Sequence, residues 1–196
     1  MILSQPELRE AVAKEEIKFD PPLEEEQWGP ASIDLRLGHK FTKWITTTSA
    51  RFSLDKGLKE ISDLGLWSET ELNPRDKHGK PETYQLDPDE FVLAQVYETI
   101  CMPNNLMALV EGRSGYARTG ISIHQTAPWI QPGWSGKITL ELKNGPLKIS
   151  LTPVKDKLCQ LTFFKLTSAL SDKLLYGSRP SDSFQGQESP LALVKN

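Results

Sequence analysis

The chain has 196 residues, enough for one domain with extensions and a hydrophobic core of useful size. Its 23 basic and 26 acidic residues leave a slight negative excess. That argues against a general nucleic-acid binder while allowing a local basic site for a small anion. MILSQPELREAV carries no apolar run of signal length and no window approaches a membrane span, so cytoplasmic residence without membrane contact is expected.

Residues 3–14 place Ser4 ahead of Leu8, Val12 and Ala13 at helical spacing, which predicts a short opening helix. ASIDLRLG (31–38) alternates like a strand and stops at Gly38, and HKFTKWITT (39–47) predicts a second strand. From 48 to 84 the chain is polar, charged and interrupted by Gly57, Gly65, Pro74, Gly79 and Pro81. This stretch reads as a surface excursion with little core of its own. Further strands are predicted over 90–103, 106–112, 121–126, 136–144, 147–153 and 158–166, separated by the turns PNN, QPGW, NGP and PVKD. Many short strands with regular turns indicate an all-β fold with short helices, a barrel or sandwich, and not βαβ units. RSGYARTG has room for one helical turn. The domain is assigned to 1–166. The polar, Pro/Ser-rich remainder, 167–196, is expected to be a C-terminal arm that stays mobile until something orders it. A hydrophobic fraction of 38% implies either long surface loops or burial shared with other subunits.

Cys101 and Cys159 sit in apolar, strand-like contexts and are expected to be buried free thiols. His39, His78 and His124 are scattered, and none pairs with a cysteine at ligand spacing. The H-x-E plus P-C-x-x-C signature of the zinc nucleobase deaminases is absent, so no zinc site is expected.

The chemistry concentrates between Glu111 and Leu142. Arg113, Ser114, Gly115 and Arg118 fall within six residues, followed later by one acid, Glu141, inside the alternating ITLEL. Arginine offers planar donors matched to phosphate oxygens, and glycine lets backbone N–H groups approach an anion. An acid among apolar strand residues calls for a partner or a use. Together they suggest a nucleotide phosphate site beside an acid/base group. The competing reading is a solvated turn and an ordinary outward-facing strand residue.

Six segments in order resemble the deoxycytidine triphosphate deaminases, members of the trimeric deoxyuridine triphosphatase superfamily. GPASIDLRLG is similar to an early family strand, and FVLAQVYETICMP to another. EGRSGYARTG resembles the family's phosphate loop, and TAPWIQPGWSGKITLEL its catalytic stretch. KLCQLTFFKL and SFQGQESP resemble a late strand and the C-terminal tail. The resemblance implies a homotrimer of distorted jelly-roll subunits with active sites between neighbours and the arm closing over nucleotide. It implies hydrolysis of dCTP to dUTP and ammonia, without zinc, with Mg²⁺ carried by the triphosphate. dTTP enters as a candidate feedback inhibitor.

By the same resemblance Glu141 is the catalytic carboxylate, shuttling protons between water, ring N3 and the departing amine. Arg118 positions Glu141 and the water, Ser114 helps hold the water and touches phosphate, and Ala127 acts through its backbone carbonyl. Thr126 shapes the pocket. Arg113 and the Gly115 N–H are assigned to the triphosphate. Gln131, Thr139 and Leu140 join the substrate-binding set, as do Tyr176, Ser183 and Gln187 from the arm. Gln160 faces either the base edge or serves as a structural amide. Trp134 and Phe163 are expected to pack in the core or an interface. Two positions depart from the family pattern: Gln131 stands where many members have the aspartate of I-D-P-G-W, and Ser183 lies where some tails carry lysine. Glutamine takes no proton, so the primary expectation is a deaminase whose dUTP accumulates. The alternatives are a bifunctional enzyme giving dUMP and pyrophosphate, and a non-catalytic nucleotide-binding regulator.

Overall fold

The computed structural model of the chain describes residues 1–45, 65 and 67–191. Helix α1 (Gln5–Ala13) starts where Ser4 predicts it: the Glu7 carboxylate accepts hydrogen bonds from the Ser4 N–H and Oγ, both at 2.8 Å. Leu8 and Ala11 turn inward, and the rest is strand.

Strands β1 (Lys18–Asp20), β3 (Leu37–Trp44), β4 (Trp67–Glu71), β6 (Phe91–Cys101) and β9 (Ser135–Lys143) form one antiparallel sheet, in which β6 pairs with β1, β3 and β9. Strands β2 (Ile33–Leu35), β7 (Leu106–Gly112), β8 (Trp129–Ile130) and β11 (Cys159–Lys165) form a second, in the order β2-β11-β7-β8. Strands β5 (Tyr84–Leu86) and β10 (Ile149–Leu151) pair as a small third sheet. One hydrophobic cluster joins them. Phe41, Ala94 and Leu140 come from the first sheet, Ile33, Leu161 and Phe163 from the second, and Leu86 and Leu151 from the third. The all-β jelly-roll expectation holds, because period-two alternation leaves one apolar face per strand and two such faces close on each other. Cys101 and Cys159 are free thiols, and burial pushes the Cys159 thiol upward.

Three sequence expectations gain detail. The described part of the 48–84 stretch is mostly exposed, as expected of a surface excursion, and within it β4 pairs with β3 and Trp67 stacks on Trp44 with ring centroids 3.6 Å apart. The rest of that stretch, residues 48–64 and 66, lies outside the described residues. Residues 121–126 alternate as expected, with Ile121 and Ile123 buried and Ser122 exposed, yet they close only one bridge, Ser122 to Lys143. Beyond Ile123 the backbone turns its N–H toward a side chain instead of a strand. Residues 167–191 lie against the domain: Leu170 bonds the Asn104 carbonyl, Tyr176 that of Pro132, and Gly186 and Gln187 the backbone of β9.

An ion pair ties the sheet junctions together inside the core. Glu98 on β6 is fully buried; it accepts from Arg36 Nε at 2.7 Å, Gln27 Nε2 at 2.8 Å and the Arg36 backbone N–H at 3.1 Å. The opposite end of Arg36 reaches Glu24 at 2.6 Å. Nothing in VYETI or DLRLG announces this pair.

Candidate active site

Along β9, Ile138, Leu140 and Leu142 are buried while Lys137, Thr139 and Glu141 point the other way. The register sets Glu141 beside Leu93 of β6, and Leu93 beside Thr42 of β3. A cavity of about 550 Å³ opens on this face. Its polar positions include Glu141, Thr139, Gln131, Tyr176 and Gln187, with Ala127 beside them. Trp44, Trp67, Phe91, Trp129, Trp134 and Phe184 make much of the wall aromatic, which suits a planar ring.

Glu141 is held on one side only. Its Oε2 accepts the Gln125 backbone N–H at 2.8 Å, and its own N–H donates to the Ile123 carbonyl at 2.9 Å. The Gln125 carboxamide donates to the Glu141 carbonyl at 3.3 Å. Oε1 makes no hydrogen bond among the described residues, so one carboxylate oxygen stays available to a water or a base. Of the acidic side chains, Glu141 alone lines the cavity among the described residues. His124 lines the same cavity; its Nε2 lies 3.6 Å from Glu111 and its buried Nδ1 has no partner. Sequence reasoning passed over His124, although it sits two residues before Thr126 in HQTA.

The arm forms one wall. Gln187 is buried. Its carboxamide donates to Thr139 Oγ1 and, at 3.3 Å, to the Lys137 carbonyl, while its own carbonyl accepts the Lys137 N–H at 3.0 Å. Trp134 Nε1 donates to the Phe184 carbonyl at 3.2 Å. Gly136 is required here: its φ is +144°, and a Cβ on it would lie 2.9 Å from the Gln187 nitrogen. The Tyr176 hydroxyl accepts the Phe184 N–H at 3.2 Å, and burial pushes its phenol upward, which keeps it protonated and able to donate.

The turn that carries Arg113 and Arg118 stands elsewhere. Ser114–Ala117 form the single turn α2, with Arg113 preceding it and Arg118 following. Ser114, Gly115 and Arg118 are exposed, and neither they nor Arg113 line the cavity. Arg113 is already engaged, with Nε 3.1 Å from Asp34 and Nη1 donating to the Lys157 carbonyl at 3.3 Å. Burial raises the Asp34 carboxyl above its usual range, opposed by Arg113 and then Lys157. Gln160 pairs opposite Asp34 and Glu111, so it belongs to this second surface and not to the cavity. Its amide reaches the Gly112 carbonyl at 3.5 Å.

Three residues expected to bind substrate lie off the cavity of their own chain. Leu140 is 1% exposed on the core face, because strand alternation sends its side chain away from Glu141. Ser183 turns its hydroxyl to the Ser181 carbonyl at 3.3 Å and does not line the cavity. Gln160 takes its structural-amide alternative. Phe163 is wholly buried in the core, whereas Trp134 both packs there and walls the cavity. Among the described residues no group of three or more His, Cys, Asp or Glu stands together as a metal site. No described helix is long and apolar enough to cross a membrane.

Comparison with known proteins places this geometry. Residues 2–166 match the model of the dCTP deaminase-like family. The chain is 35% identical over 191 residues to a protein of Methanosphaera stadtmanae named dCTP deaminase, dUMP-forming, spanning 96% of this chain and 91% of that one. It is 32% identical over 194 residues to the dCTP deaminase of Rhodospirillum rubrum, spanning 97% and 95% respectively. The crystal structure of 2'-deoxycytidine 5'-triphosphate deaminase from Agrobacterium tumefaciens shares the fold at a TM-score of 0.62 and 23% identity. That match covers 88% of this chain and 50% of the other, so the chain spans half the length of that structure's chain. With a family match over most of its length and relatives above 30% identity, this chain belongs to the dCTP deaminase-like family.

Proposed function

We propose that the chain deaminates dCTP at C4 and carries the product on to dUMP and pyrophosphate. In the first step dCTP and water give dUTP and ammonia; in the second, dUTP and water give dUMP and pyrophosphate. The observation that carries the first step is Glu141, with one oxygen fixed by the Gln125 N–H and the other open to an aromatic cavity. A carboxylate so placed takes one proton from the attacking water and gives it to ring N3, then takes the C4 hydroxyl proton of the tetrahedral adduct and gives it to the amine, which leaves as ammonia. Gln131, Thr139, Tyr176 and Gln187 surround the nucleotide in this reading, and the Ala127 carbonyl orients the water.

The second step is supported by the dUMP-forming name of the 35%-identical relative. Gln131 cannot serve as its base, so another group must activate the water of this second step. Magnesium is part of the substrate in this reading, chelated by the triphosphate oxygens. Arg118, Ser114, Gly115 and Arg113 lie off the cavity of their own chain. We assign them to the triphosphate in the cavity of a neighbouring copy within a homotrimer. dTTP, which presents the same triphosphate without a 4-amino group, is proposed as an inhibitor of this site.

A second reading has its own observation. Gln131 replaces an acid, which favours a deaminase that stops at dUTP. Chromatography of the products from dCTP and Mg²⁺, with ammonia measured in parallel, decides between them. dUMP and pyrophosphate appearing at the rate of ammonia release support the proposal, and accumulating dUTP replaces it with the second reading. Nucleotide binding without ammonia release overturns both and leaves the non-catalytic regulator.

A further inference from the structure

A second cavity, of about 230 Å³, lies on the far side of the arm from the first. It is built where β3, β6 and β9 run side by side, and it is lined by His39, Lys40, Gln95, Tyr97 and Lys137, with Glu71 and Glu188. The donors there are unusually free of acceptors. Gln95 is 2% exposed, and its side-chain Nε2 has no hydrogen-bond partner. His39 Nδ1 is likewise buried without a partner. Lys40 and Lys137 make no ion pair among the described residues; their ammonium groups donate to carbonyls, Glu188 at 3.3 Å and Tyr97 at 2.7 Å, and Lys137 Nζ also lies 5.5 Å from the Tyr97 ring centroid.

A buried carboxamide N–H without an acceptor costs free energy that an incoming acceptor would recover. Two half-buried lysines beside it fix the sign of that acceptor. The two acids do not cancel them, because Glu71 and Glu188 are exposed and keep their carboxylates in water, whereas Lys40 and Lys137 are partly withdrawn from it. A cavity that holds an unpaired carboxamide N–H beside two half-buried ammonium groups, and has its two acids exposed to water, is suited to a compact oxyanion.

We propose that this cavity is an anion site for inorganic phosphate or pyrophosphate, separate from the nucleotide cavity. Gln95 Nε2, Lys40 and Lys137 are its donors. The site shares Lys137 and Glu188 with the seat of the arm, since the Lys137 N–H donates to the Gln187 carbonyl and Lys40 to that of Glu188. Occupancy therefore bears on the segment that closes the nucleotide cavity.

The test is calorimetric titration of the purified full chain with inorganic phosphate and, separately, pyrophosphate, without nucleotide. Four proteins are compared: wild type, Lys40→Met, Lys137→Met and Arg118→Met. Methionine keeps the apolar stem and removes the charge. Loss of one charge-assisted contact is expected to weaken binding roughly tenfold or more in each lysine variant. Arg118→Met removes a donor assigned to the triphosphate, so it separates any anion held there from the site proposed here, and the binding that depends on Lys40 and Lys137 should persist in it. Whichever anion binds more tightly identifies the source. Circular dichroism melting of each variant separates loss of a site from loss of the fold, and Gln95→Glu, which places a carboxylate in the cavity, must abolish binding in a folded protein. Binding lost with Arg118 and kept without the lysines would move the anion to the α2 turn and overturn the proposal. No binding to wild type at ~10 mM, the weak end of specific affinity, would overturn it equally.

Discussion

Glu98 and Glu141 make an instructive pair. Both are single acids in apolar strands, one in VYETI and the other in ITLEL, and nothing in the local pattern separates them. Glu98 is fully buried, and both its oxygens are used by Arg36 and Gln27. Glu141 has one oxygen on a backbone N–H and the other facing a cavity. A carboxylate whose lone pairs are all taken by fixed donors has nothing left to offer a substrate, so it braces the fold. One left half-satisfied beside open space can hold a water and exchange a proton with it. Saturation of the two oxygens, more than burial, distinguishes the brace from the base.

Substitution at each acid should break the comparison in opposite ways. Glu141→Gln is expected to lower ammonia release from dCTP by roughly 10²–10⁴-fold, because the amide neither takes nor gives the proton. Nucleotide affinity and melting temperature should stay near wild type. Turnover within a few-fold of the parent in a stopped ammonia assay would remove Glu141 from the mechanism. Glu98→Ala should do the reverse, costing about 3–5 kcal/mol of stability by stranding the buried Arg36 charge. Urea unfolding reads this directly, and an unchanged midpoint would mean that Arg36 finds another partner.

The arm sharpens the contrast between cavity and core. Truncation after Leu174 removes Tyr176, Phe184 and Gln187 from the cavity wall yet deletes none of the paired strands. The truncated chain should fold, with kcat/KM for dCTP reduced by roughly 10²-fold, the scale of losing a positioned donor and water exclusion. Normal turnover would reduce the arm to a tail. Gly136→Ala is the subtler probe, placing a Cβ 2.9 Å from the Gln187 nitrogen at a φ of +144°. Strain of about 1–3 kcal/mol there should unseat the arm while the core stays folded. Limited proteolysis should then cut between 175 and 190 faster than in wild type, and equal rates would show that the arm does not depend on this seat.

Much of the architecture was legible in the residues. Alternation placed β7, β9 and β11, which each present one face to the core, while β3 and β6, buried in continuous runs, were legible as strand-forming residues between turns. The Ser4 cap and the single turn at RSGYAR were visible for the same local reason. The order of six motifs pointed to the family and to Glu141. Tertiary structure alone decided the rest. Whether an acid meets Arg36 or a cavity depends on residues 62 positions away, and no window of sequence contains both. Leu140 and Glu141 are neighbours in the chain and lie on opposite faces of the sheet, which separates a core residue from a site residue although both belong to one motif. The arm looked mobile because its side chains are polar, but Gly186 and Gln187 bond the backbone of β9 while the polar side chains of Gln185 and Gln187 find partners on and beside that strand. Local patterns report what one segment prefers for itself; the unused lone pairs, the partnerless Gln95 and the separation of the α2 turn from Glu141 arise only where distant segments meet.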